Sequence, residues 1–177
     1  MPEFRRKTNR LPRSSYHGRR LYFLTICTHN RERVFTNSRF VDATLSLLRD
    51  ECRSHCFGVY AYCFMPDHVH LVLVGEKGAA ELPMLVRAFK GAVAAVGRAK
   101  GVPKLWQKGF YDHVIRSGEG LDRAAWYVFM NPVRAGFVNE PAEWPYSGSL
   151  MFDWERLETS SEPFVPPWKK GAAKQAR

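Results

Sequence analysis

The chain has 177 residues, 45% hydrophobic and 14% aromatic, with a formal net charge of +10. It is too apolar for a disordered protein and long enough for one domain with a real core, and no apolar run approaches the roughly 20 residues that span a bilayer. A basic chain rich in arginine and aromatic residues suits nucleic acid, where phosphates supply affinity and flat rings stack on unpaired bases.

Residues 1–20 carry Arg5, Arg6, Lys7, Arg10, Arg13, Arg19 and Arg20 against one acid, Glu3. They read as a basic N-terminal arm. The arm lacks the apolar stretch of a secretory signal, so a cytoplasmic location is expected. Residues 21–28 are aromatic and β-branched and predict a first strand. Residues 39–56 place Phe40, Ala43, Thr44, Leu47, Leu48 and Cys52 at helical spacing. Residues 58–65 and 68–74 predict two strands joined at the tight turn Pro66-Asp67, a hairpin. Residues 82–100 predict a second helix, alanine-rich, with Arg87, Lys90, Arg98 and Lys100. A fourth strand follows over 112–116, a turn over 117–120 and a third helix over 121–130. Asn131-Pro132 is expected to stop that helix, because a residue before proline is pushed out of the α region.

The order β-α-β-β-α-β plus a helix predicts an α+β, ferredoxin-like split βαβ fold. This is an antiparallel sheet with two helices on one face and a C-terminal helix beyond. The domain is expected over 21–150, with 151–177 a basic C-terminal tail. The four cysteines, Cys27, Cys52, Cys56 and Cys63, form no C-x-x-C pair and read as core or surface thiols.

The sharpest motif is His68-Val69-His70. In a strand, residues i and i+2 share a face, so the two imidazoles project together and are suited to one divalent metal. Two histidines on a solvated strand face are the plain alternative. On the third helix, Tyr127 and Asn131 stand i and i+4 apart and share a face. Asn131 offers a carbonyl oxygen as a third ligand, and Tyr127 a phenol as nucleophile. A phenol, with an ordinary pKa of about 10, both attacks and leaves a phosphate tolerably, which strand transfer requires. From spacing alone, Tyr127 serves equally well as a residue packing on the sheet.

Taken together, His68-Val-His70, the segment from Leu105 to His113 and Tyr127-Val-Phe-Met-Asn131-Pro-Val-Arg-Ala-Gly resemble the REP-associated tyrosine transposases, relatives of the single-tyrosine transposases of small insertion sequences. The resemblance covers about residues 15–150. It implies binding of single-stranded DNA hairpins from palindromic genomic repeats, and cleavage with Mg²⁺ or Mn²⁺ through a 5′-phosphotyrosine. His68 and His70 match the metal-binding histidines and Tyr127 the nucleophile. Asn131 falls where the insertion-sequence relatives carry glutamine, one methylene longer. It also implies a nucleoid-associated protein acting as a monomer or homodimer.

Tyr111 is the rival nucleophile. Expected DNA contacts are Arg5, Arg6, Arg13, Arg19, Arg20, Arg87, Lys90, Trp106, Lys108 and Arg134. Trp106 serves equally as a core residue, and Arg134 as a helix cap. His113 reads as structural. The competing function is a non-catalytic single-stranded nucleic-acid binder on the same fold, which has no need of His68, His70 and Tyr127 together.

Overall fold

The computed structural model describes residues 13–154 and 164–166. Arg5 and Arg6 lie outside the described residues, and so does the side chain of Arg13. The element order is β1 (Leu21–Cys27), α1 (Ser38–Ser54), β2 (Phe57–Met65), β3 (His68–Gly75), α2 (Leu82–Ala99), β4 (Tyr111–Ile115), α3 (Leu121–Phe129), α4 (Asn131–Arg134) and β5 (Ser147–Gly148). The strands form one antiparallel sheet in the order β4-β1-β3-β2-β5. The first four strands have the ferredoxin-like arrangement expected from the sequence. β5 adds a two-residue edge beyond β2, too short to carry a periodic signal.

Two cores flank the sheet. On one face Leu24, Ile26, Val69, Leu71 and Leu73 meet Leu48 of α1 and Leu85, Phe89 and Val93 of α2. On the other, Phe23, Ala61, Cys63 and Val72 meet Ala124, Ala125, Val128 and Phe129 of α3. Two small alanines let α3 lie close to the strands. Val69 therefore points away from His68 and His70, as strand alternation requires.

The hairpin between β2 and β3 carries a register shift between Val59 and Ala61. A bulge reverses which face successive residues meet. Val59 belongs to the first core, whereas Tyr60 and Ala61 both turn to the second. Tyr60 thereby reaches α3, where its hydroxyl donates to Asp122.

α3 stops ahead of Asn131-Pro132, as expected, but the chain does not leave the helical region there. α3 ends at Phe129, Met130 stays in the right-handed helical region, and α4 begins at once with proline in its first turn. Proline is tolerated there because a first-turn N–H has no helical partner to lose. The stop of α4 is Gly136, at φ +72°. Its N–H donates to Val133 O, and Phe137 N–H to Pro132 O, the paired bonds of a Schellman terminus.

Candidate active site

The site lies between β1, β3 and α3, on the second face of the sheet. Register sets the first contact: Thr25 of β1 stands opposite His70 of β3. Thr25 Oγ1 lies 2.8 Å from His70 Nδ1. At the hairpin turn, Asp67 Oδ1 lies 2.6 Å from His68 Nδ1. A carboxylate only accepts, so His68 carries its proton on Nδ1, and Nε2 keeps a lone pair. The two Nε2 atoms then converge, 3.0 Å apart, in a hydrogen bond that His68 Nε2 accepts. That spacing would let both imidazoles hold one divalent ion, and both outer nitrogens are already held.

Asp67 is fixed in turn. Thr28 N–H and Oγ1 donate to its carbonyl at 3.0 and 2.8 Å, and Arg31 pairs with its carboxylate at 3.4 Å. Among the described residues, no three His, Cys, Asp or Glu converge on a common point.

Tyr127 projects from α3 onto the same floor. Its ring centroid lies 6.3 Å from that of His70 and 5.6 Å from that of Phe23, edge-on in both cases. Arg134, seven residues on, folds back over it: the guanidinium carbon lies 4.0 Å from the Tyr127 ring centroid. The same guanidinium donates to the Tyr127 carbonyl. Burial lowers the Arg134 pKa, opposed by nearby Tyr127 and Cys63. Arg134 is thus engaged with the tyrosine and the end of α3, the capping alternative read from the sequence. Phe164 also packs here, 5.8 Å from Tyr127 and 5.3 Å from Phe23 between ring centroids.

Asn131 is buried. Its Nδ2 donates to Tyr127 O at 3.0 Å and Val128 O at 3.2 Å. Both partners are acceptors, which settles the amide orientation and leaves Oδ1 facing away from those carbonyls.

Tyr111 is paired with Thr25 across β1 and β4. It therefore stands in one row with Thr25 and His70, on the same face, and is 44% exposed. His113, next along that face, lies 2.7 Å from Glu119 in the turn before α3, a structural tie.

The expected DNA contacts are dispersed. Trp106 is 8% exposed, packed against Phe35 and Phe89, and its Nε1 donates to Lys90 O. That ring closes the first core and presents no face for a base, which corrects the channel reading. Lys108 is exposed near the site end of β1, where Gln107 N–H donates to Cys27 O. Arg87 is exposed on α2, whereas half-buried Lys90 donates to Gln107 O and Gly109 O at 2.8 and 2.7 Å. Burial lowers the Lys90 pKa. Arg19 and Arg20 are exposed at the opposite end of β1, about 20 Å from His68 by strand rise. There they bond Glu76 O and His17 O.

Thr25, Asp67 and Phe23 were not singled out as site residues. Asp67 had a signal, its place in the turn beside the first histidine. Thr25 and Phe23 are visible only through strand register.

The IS200-like transposase family model matches residues 18–123, more than half the chain, and the chain belongs to that family of enzymes. Within the family the resemblance is to REP-associated tyrosine transposases. The Escherichia coli K12 member is 24% identical over 141 residues, 75% of this chain and 83% of the relative. A Haemophilus influenzae Rd protein provisionally given the same name is 28% identical over 142 residues, 72% of this chain and 78% of the relative. The fold matches a solved REP-associated tyrosine transposase bound to a REP hairpin, with a TM-score of 0.67 and 22% identity, over 94% of this chain and 96% of the other. No described helix is long and apolar enough to cross a membrane.

Proposed function

We propose that the chain cleaves and rejoins single-stranded DNA hairpins of palindromic genomic repeats, with Tyr127 as nucleophile and a divalent ion, Mg²⁺ or Mn²⁺, held by His68 and His70. The observation that carries this is the convergence of the two Nε2 atoms at 3.0 Å beside the Tyr127 ring. Asn131 is proposed as third ligand through Oδ1, because its nitrogen is taken by the helix. When bound, the ion supplies Lewis-acid polarisation of a non-bridging phosphate oxygen.

The protein's own groups do the rest. Asp67 and Thr25 hold the imidazoles so that both Nε2 atoms face one point. Phe23 and Arg134 hold the tyrosine ring. Tyr127 Oη forms a bond to phosphorus as the bond from phosphorus to the 3′-oxygen breaks. Net, the phenolic proton is replaced by the phosphoryl group, and the 3′-oxygen leaves protonated as a 3′-hydroxyl. One phosphoester replaces another, so a second 3′-hydroxyl can reverse the step without ATP.

The test is a denaturing gel of protein incubated with a labelled hairpin from the repeats flanking its gene, with Mn²⁺ or with EDTA. A Mn²⁺-dependent labelled protein band, lost in Tyr127→Phe and in His68→Ala, is the expected result. DNA bound but never cut overturns the proposal in favour of a binder. Cleavage with no adduct makes water the nucleophile.

A further inference from the structure

A second feature lies beside the β4 edge of the sheet, on its other face. A cavity of about 340 Å³ opens between α2 and the segment leading into β4, lined by Tyr16, Val86, Arg87, Lys90, Gly109 and Phe110. That is within the usual range for small-molecule sites, of order 300–1,000 Å³. Half-buried Phe110 and buried Tyr16 supply aromatic and apolar wall. Lys90 ties the 107–109 backbone to α2 through two carbonyls, so the wall is held in place. The described ion pairs are made by His17, Arg31, His55, His68 and His113. Among the described residues, then, neither Arg87 nor Lys90 is neutralised by a carboxylate.

The connection to the catalytic face runs through the edge of the sheet. β4 is the outermost strand on this side. Tyr111, its first residue, lies on the catalytic face, in the row of Thr25 and His70. By the spacing of two strands it is about 10 Å from His70. Phe110, the residue before, packs with the opposite core. Two consecutive rings thus straddle one sheet edge, one on the catalytic face and one in the cavity.

We propose that the cavity receives the base of an unpaired nucleotide of the bound DNA, where the strand leaves the catalytic face over the edge of β4. Tyr111 stacks on the preceding base, Phe110 packs on the inserted one, and Arg87 meets its phosphate. Bases stack on aromatic rings whatever their identity, and Arg87 at the rim, with no carboxylate partner among the described residues, suits the backbone. The inference rests on the proposed single-stranded DNA substrate and adds where that strand goes.

The test uses the full chain and the same hairpin with a single-stranded extension on each side of its foot, in EDTA. Each extension position is made abasic in turn, and affinity is read by fluorescence anisotropy for wild type, Arg87→Gln and Phe110→Leu. The expected result is one position where base loss weakens wild type about tenfold but leaves Phe110→Leu unaffected. Arg87→Gln should reduce the salt dependence by about one phosphate contact. Should Phe110→Leu not fold, 2-aminopurine at that position decides: quenched on binding to wild type, it supports the pocket, and unquenched it overturns it. A flat abasic scan in a protein that still cuts the hairpin removes the pocket alone. A protein that neither binds nor cuts removes the pocket together with the proposed function.

Discussion

The guanidinium of Arg134 lies over the ring of Tyr127, 4.0 Å from its centroid, while also bonding the tyrosine's own carbonyl. A cation on a ring face is worth about 0.5–2 kcal/mol, enough to fix the ring's orientation. Arg134→Ala is expected to slow adduct formation roughly tenfold at saturating DNA. Arg134→Lys should not restore it, since an ammonium lacks the flat fork that stacks and bonds at once. If Arg134 instead binds phosphate, DNA affinity and its salt slope fall while the saturated rate holds.

Thr25 and Asp67 occupy the outer nitrogens of the two histidines. Such partners typically govern metal affinity by roughly 10–100-fold. Thr25→Val and Asp67→Asn are each expected to weaken Mn²⁺ binding by that amount, read from the electron paramagnetic resonance signal of free Mn²⁺. Affinities equal to wild type in both would show that the pair does not hold the ion.

Gly136 closes the helical path that carries Asn131 and Arg134, at a φ of +72°. A side chain in this left-handed region costs about 1–2 kcal/mol. Gly136→Ala should lower the melting temperature accordingly, with the loss seen by calorimetry. No change would mean that the Schellman terminus is not held in solution.

Tyr22 is fully buried, and its hydroxyl donates to Ser15 O. Burial is the first cause that pushes its pKa up to about 12. The fold therefore favours the protonated phenol. Its contribution is present in full below the ordinary tyrosine value of about 10 and is lost as pH rises from there through about 12. Thermal stability should fall across that window, less steeply in Tyr22→Phe. Equal slopes in the two proteins would remove Tyr22 as the cause.

Much of the sheet was legible because its signals are local. Alternating strands, helical spacing in α1 and α2 and the Pro66-Asp67 turn each reflect a few neighbouring residues. His68 and His70 were legible for the same reason. Asn131-Pro132 does end α3, but α4 was not legible, because first-turn proline starts a helix as readily as it follows one, and only the hydrogen bonds to Pro132 and Val133 identify Gly136 as its stop. Trp106 was ambiguous because a tryptophan beside a lysine reads alike in a core and on a DNA surface. Thr25 and the Tyr111 row depend on pairing between distant strands, which no local pattern encodes. The bulge at Tyr60, likewise, shows itself only in the pairing of β2 with β3.

The most direct measurement is the site of DNA attachment. Wild-type protein is reacted with the hairpin and Mn²⁺, digested with trypsin and nuclease, and the nucleotide-bearing peptide is sequenced by mass spectrometry. The account predicts the modification on Tyr127. A modification on Tyr111, or a hairpin cleaved with every tyrosine unmodified, would contradict it.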